Sequence, residues 1–417
     1  MGTDLGTPPA HERGPGKAAV LVSAMCLAQV AGMLGVFAFP ALLPNFLDIW
    51  GLSNSQAGWI NGIYFAGYTV AVPLLTSLTD RMDARKIYVL SCGLGVMANL
   101  GFAFLSQGFW TALIFRAMSG LGLAGTFIPG LKAVIDRLEP RFLPRAVSFY
   151  TACFGLGMSA SFYVAGKLFA GFGWKSVFAA AAAGSGFSLA ASLAALVPRA
   201  APGKPGTGIL AALDFRPVWQ NRPARIYIMA YMCHMWEMFA ARSWMVAFLS
   251  FALMVRDQAH GFMAPTTVMA VAGIGGMMSS IGFGELALRL GRRRVVTGIM
   301  VVSCILAMTL GFLARIPYPA LAGLCMVYTL FFQGDSAAIH AGVITAAPFE
   351  RRGATMALQS LGGFMAASLG SVVTGMVLDI TGNGLTPLSW GITFGTMGMV
   401  AALGSLLVAG SRHAGAD

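Results

Sequence analysis

The sequence predicts an all-α membrane protein with twelve transmembrane helices in two pseudo-symmetric six-helix bundles. Three observations carry that prediction. Of 417 residues, 57% are hydrophobic and only 10% charged, with mean hydropathy +0.75. A soluble domain carries about 25% charged residues, so this chain cannot cover itself with polar surface and most of its outside must meet lipid. The apolar runs are continuous and rich in Gly and Ala, without the polar/apolar alternation of barrel strands. Finally, two basic knots, residues 76–86 and 284–294, each follow the second apolar run of their half. Like hairpins at like places imply a duplication.

The spans follow in order, each needing about 20 mainly apolar residues. Residues 1–17 are polar and Gly/Pro-rich, and read as a disordered N-terminus. Arg13 and Lys17 precede span 1 (18–39), which is too long for a signal core and reads as an uncleaved helix ended by Pro40 and Pro44. Span 2 covers 56–78, with Asn61, Tyr64 and Tyr68 at helical spacing. Spans 3 to 6 cover about 87–105, 110–131, 146–168 and 174–197. Residues 198–224 hold Pro198, Pro202, Gly203, Pro205 and Gly206, and form the inter-half linker. Spans 7 to 12 cover about 226–254, 263–288, 295–313, 318–345, 354–378 and 388–409. The organisation is therefore bundles at 18–197 and 225–411, with a short tail at 412–417.

Charge sets the orientation. One set of loops holds Arg81, Arg85, Lys86, Lys132, Arg137, Arg141, Arg145, the linker cations, Arg289, Arg292, Arg293, Arg294, Arg351 and Arg352. The opposite set holds only Lys167, Lys175, Arg256 and Arg315. The rule that Lys and Arg stay inside puts both termini in the cytoplasm of a plasma (inner) membrane. The net charge of +12 is dispersed over these loops, which argues against a nucleic-acid partner. The six cysteines all lie in apolar runs without a CxxC pair, and read as packing residues.

Charges inside the spans are the candidate site, since each costs at least about 2.5–3.5 kcal/mol at the bilayer centre. Span 7 carries His234, Glu237 and Arg242. At 100° per residue, Glu237 sits about 60° to one side of His234 and Arg242 about 80° to the other. The expectation is one broad polar face toward a central cavity. Glu237 is the first choice for a protonatable group. Arg242 either binds an anionic substrate or pairs with Glu237. On span 10, Gln333 and Asp335 flank Gly334, and Asp335 is a second coupling site or a partner for a buried cation. Arg116 on span 4 is expected to pair with an acidic side chain of the other half. His340 is expected at the interface near its helix end. Tyr64, Tyr68, Gln29, Gln333 and Gln359 either bind cargo or join helices.

Two six-span halves with these loops resemble the major facilitator superfamily. Its signature between spans 2 and 3 reads approximately G-x-L-x-D-R-x-G-R-R/K. Here Leu78, Asp80, Arg81 and Arg85 or Lys86 fit, while Thr76, Asp83 and Ala84 depart from it. The second copy keeps Gly284, Leu286, Arg289, Gly291, Arg292 and Arg293 but places Leu288 where the Asp is expected. Arg116 and Gly120 match the span-4 motif R-x-x-x-G. The span-5 antiporter motif G-P-x-x-G-G is absent, which disfavours a drug/proton exchanger. The resemblance implies gating roles for Asp80, Arg81, Arg85, Arg289 and Arg292. Asp80 would face the positive N-terminal end of span 11 when the cytoplasmic side closes.

The functional expectation is a secondary transporter moving a small solute by alternating access, coupled to a proton or ion, its substrate a small organic or inorganic anion. An exporter of hydrophobic compounds is the alternative, and a non-transporting membrane sensor a third. No HExxH or phosphate loop is present, so no enzyme is expected and no cofactor or metal is implied. The expected partners are a small-molecule substrate, a coupling proton or ion and the lipid bilayer, around a monomer.

Overall fold

The computed structural model describes residues 15–200, 215–258 and 261–410. The proposed disordered start, most of the linker and the short tail fall largely outside them. The first bundle begins with α1 (Pro15–Gly32), α2 (Ala38–Ala41) and α3 (Leu43–Trp50). It continues through α4 (Asn54–Leu78), α5 (Ala84–Leu105), α6 (Phe109–Thr126) and α7 (Ile128–Ile135). One helical stretch, Leu143–Ala195, is divided at Gly173, whose φ of 74° belongs to the left-handed region that favours glycine. Its two parts are α8 (143–172) and α9 (174–195).

A short helix, α10 (Arg216–Gln220), lies within the expected linker. The second bundle comprises α11 (Arg222–Val255), α12 (Pro265–Leu290), α13 (Arg292–Leu310), α14 (Tyr318–Gly334), α15 (Ser336–Ala346), α16 (Arg352–Ile380) and α17 (Pro387–Ala409). Among the described residues, eight helical stretches are long and apolar enough to cross a membrane. One of these is the 140–195 stretch that Gly173 divides. The other expected crossings fall on shorter, broken or more polar helices.

Local chemistry explains the helix starts. Ser53 accepts from the Gln56 amide and Gln56 returns a bond to the Ser53 amide, a reciprocal cap on α4. Asp83 caps α5, Asn221 caps α11 and Thr386 caps α17. Three expected spans are not continuous. Span 1 opens between Gly32 and Ala38, span 4 breaks at Phe127, and span 10 breaks at Asp335. Apolar content alone does not reveal such breaks, because an opened turn survives when side chains satisfy its backbone.

The bundles meet through α4 against α16 and α8 against α12. Basic loops mark one end of the molecule, called the basic end; α4 starts at the far end. At the far end, Ser368 Oγ donates to the Gly62 carbonyl and Trp244 Nε1 to the Ser371 carbonyl. A Cβ on Gly58 would come within 2.8 Å of the Ser371 carbonyl oxygen, so the helices touch backbone to backbone. Phe39, Phe46, Phe102, Trp174 and Phe178 fill the far end of the first bundle.

Candidate functional site

α11 supplies most of the site. It is buried along nearly its whole length because it packs against α16, α17, α14 and α15 while also touching α2 and α3. Arg242 faces the first bundle. Its Nη2 donates to Gln333 Oε1 of α14 at 2.7 Å, and its Nη1 lies 3.1 Å from Met158 Sδ of α8. Its guanidinium stands 5.8 Å above the Phe37 ring, in the opened segment of span 1. Phe37 stacks on Phe162, with Phe239 and Phe65 nearby. Arg242 is only 4% exposed, and among the described residues no carboxylate pairs with it.

One turn of polar chemistry lies nearer the basic end. His234 Nδ1 is 2.6 Å from Asp335 Oδ1, at the break between α14 and α15. Among the described residues, His234 Nε2 has no partner. Gly334 lets α14 approach α12: a Cβ there would come within 3.0 Å of Ser279 Oγ. The Tyr231 ring lies between His234 and His340, with centroids 5.9 and 4.9 Å away. His340 Nδ1 and Gln359 Nε2 are 2.8 Å apart. His340 is exposed, as expected, but Gln359 holds it in place.

The single broad face expected on α11 is divided. Glu237 turns away from the other bundle and accepts from Ser303 Oγ of α13 at 2.7 Å and Tyr328 OH of α14 at 3.0 Å. It does not pair with Arg242. An arc of about 140° meets different neighbours at its two edges. Ser303 and Tyr328 had no sequence signal that linked them to Glu237.

Arg116 is also corrected. It bonds to its own bundle, donating from Nη1 to the Gly35 carbonyl at 2.7 Å and from Nη2 to the Val36 carbonyl at 2.9 Å. Its guanidinium lies 4.2 Å from the Tyr64 ring centre. The opened carbonyls of span 1 therefore take the place of the expected carboxylate. Tyr64 is held in that contact; Tyr68 packs on Phe364, and Gln29 accepts from Tyr150, joining helices. Ser161 assists at the opening, accepting from the Phe37 amide and donating to the Leu34 carbonyl.

Among the gating candidates, Asp80 and Arg81 are exposed, and no donor reaches the Asp80 carboxylate among the described residues. Arg85 donates to the Leu193 carbonyl. Arg289 forms a surface pair with Glu285 at 3.2 Å, and Arg292 donates to Thr345 Oγ1 at 2.8 Å. Asp83, where the signature has glycine, is buried against Arg137 at 2.7 Å. It also accepts from the amides of Arg85 and Arg199.

Two helical bundles with a buried cation at their seam and broken helices beside it define a polytopic membrane transport fold. The chain belongs to the Major Facilitator Superfamily, whose family model matches residues 25–334. Its structure is similar to the nucleoside transporter NupG, with TM-score 0.76, 15% identity and coverage of 94% of this chain and 98% of that one. It is also similar to a bacterial homolog of the human lysosomal transporter Spinster, with TM-score 0.72, 14% identity and 95% of each chain covered. Among curated relatives, human protein spinster homolog 1 is 24% identical over 156 residues, 37% of this chain and 29% of that protein. The multidrug resistance protein MdtG of Rahnella is 36% identical over 107 residues, 24% of each chain. The matched stretches thus span well under half of the first curated relatives.

Proposed function

We propose that this transporter carries a small anion by alternating access, with Arg242 as the charge-reading residue between the bundles. One observation supports this reading above the others: Arg242 is buried at the seam with Gln333, Met158 and Phe37 and, among the described residues, has no acidic partner. Keeping an uncompensated guanidinium there is costly. An anionic cargo arriving from water would supply the missing counter-charge. Lys in its place would keep the charge but lose the planar fork that binds a carboxylate or phosphate in two places.

A coupling proton is assigned to the His234–Asp335 pair, with Glu237 as a second carboxyl on the adjoining face of α11. The basic end is the cytoplasmic side in this reading, and the halves move around a boundary within residues 198–224. Transport through a monomer needs no further chain. An exporter of hydrophobic compounds is the competing reading, favoured by the Phe37, Phe65, Phe162 and Phe239 cluster and by the local likeness to MdtG.

The test uses purified protein in proteoliposomes with a panel of labelled organic and inorganic anions. Arg242→Gln should abolish uptake of the accepted anion, and Arg242→Lys should raise its KM. Unchanged uptake in Arg242→Gln would refute the anion reading. For coupling, Asp335→Asn and Glu237→Gln are compared in pH-gradient-driven uptake and in counterflow. Loss of the first with retention of the second identifies the coupling carboxyl.

A further inference from the structure

We propose that Asp379 is a gating residue at the far end of the molecule, the counterpart of the latch expected at Asp80. Asp379 stands at the end of α16, in the second bundle. Its Oδ1 accepts from the Asn54 amide and from Asn54 Nδ2, both at 2.9 Å, and its Oδ2 accepts from the Ser55 amide at 2.8 Å. Those amides begin α4, in the first bundle. The first amides of a helix have no partner within it, and a negative charge there is favoured. Ser53 already caps the Gln56 amide from within the chain. Asp379 therefore satisfies, from the other bundle, the two amides that Ser53 leaves open. No cation pairs with Asp379 among the described residues.

The same two helices carry the opposite pair at their other ends. Asp80 lies two residues beyond the end of α4, and Arg352 begins α16. Antiparallel helices bring each C-terminal end beside the partner's N-terminal end, so each acid can face the other helix's free amides. In this structure the far-end acid is engaged, and Asp80 meets no donor among the described residues. Close approach of α4 and α16 runs from Asn54 and Asp379 to the Tyr68–Phe364 ring contact, 4.2 Å between centroids. Nearer the basic end, no hydrogen bond or ring contact joins the two helices among the described residues. Opening the far end must break all three bonds to Asp379. Because Asp379 is half-exposed, water can replace them, which suits a contact that forms and releases in each cycle. The inference rests on the alternating-access reading above, but not on the nature of the cargo.

The test measures spin-label distances in substrate-free full-length protein on a cysteine-free background. One label pair, at Gln107→Cys and Leu385→Cys, reports the far end. Another, at Arg145→Cys and Phe349→Cys, reports the basic end. Asp379→Asn keeps the shape but removes the charge. Asn54→Pro removes both Asn54 donors yet keeps the helix, because Pro suits its first position and Ser53 already has an extended conformation (φ −69°, ψ 159°). Each variant should raise the ratio of far-end-open to far-end-closed protein about threefold to thirtyfold. The double variant should add little beyond either, and Asp80→Asn should not produce that shift. A merely structural loss would lower the melting temperature without exchanging the two distances in opposite senses. Unchanged distances in both variants, with wild-type melting, would overturn the latch. If the distances shift as expected but no anion is carried, the cargo reading fails and the latch stands.

Discussion

Asp83→Asn offers a sharp test of how the basic end is built. Asp83 joins two parts of the first bundle to the start of the linker. It caps α5 through the Arg85 amide, accepts two bonds from Arg137 Nη2 at 2.8 and 2.7 Å, and accepts the Arg199 amide at 2.8 Å. Arg137 in turn donates to the carbonyls of Val197 and Ala133. The paired side chains are 4% and 3% exposed. The asparagine is nearly isosteric, so the perturbation removes a charge and leaves Arg137 buried without its counter-ion. Breaking a buried pair from one side costs about 3–5 kcal/mol. At about 2–4 °C per kcal/mol, the melting temperature of detergent-solubilised protein should fall by roughly 6–20 °C. Arg137→Met and the double variant complete the cycle, and the double should recover part of the loss, since it removes both charges and leaves neither buried alone. If Asp83→Asn melts within about one degree of wild type, the clamp contributes nothing and the reasoning fails.

The same clamp sets a pH dependence. Burial would raise the Asp83 carboxyl, but the Arg137 guanidinium and the Arg199 and Arg85 amides outweigh it and hold the carboxyl below its ordinary value of 3.8. The folded protein therefore binds this proton less readily than the unfolded chain. The clamp's stabilisation is fully present above the unfolded value and is lost as pH falls through the depressed folded one. Between about pH 5 and 8 the contribution of Asp83 to the melting temperature should be full and constant, and the wild-type advantage over Asp83→Asn should shrink only in strong acid.

Other outcomes follow from single contacts. Arg116→Lys should destabilise the opened segment of span 1, because one ammonium cannot reproduce the fork to Gly35 and Val36; about 1–3 kcal/mol is expected from the orphaned carbonyl, read as a lower melting temperature. Gly120→Ala places a Cβ against the Tyr64 carbonyl and should cost about 1–3 kcal/mol or more, with reduced yield of folded protein. Tyr328→Phe removes one of two hydroxyl donors to Glu237 and should alter coupling only if Glu237 carries the proton, which paired driven-uptake and counterflow measurements decide.

The charged residues show what was legible and what was not. The basic loops, the signature at Asp80 and Arg81, and the unusual load on span 7 stand out in a chain that is 57% hydrophobic. Arg242 was recognisable as a costly intramembrane cation. That no carboxylate among the described residues pairs with it was not, because Glu237, only five residues away, turns to Ser303 and Tyr328. Arg116 was expected to need an acid, and the broken first span met that need with backbone oxygens. Asp379 gave no signal, since its partners stand more than 300 residues earlier.

The sequence by itself determined that the chain lives in a bilayer, that its spans are helical and that its halves repeat. Those properties sum over neighbouring residues: transfer into lipid and hydrogen bonding within a helix are both settled within about 20 positions. Tertiary structure alone decided where spans open, which faces of α11 meet which helices, and which acid meets the start of α4. Each of those depends on groups that are distant in sequence and meet only after packing, and a change of a few tens of degrees in side-chain direction exchanges one partner for another.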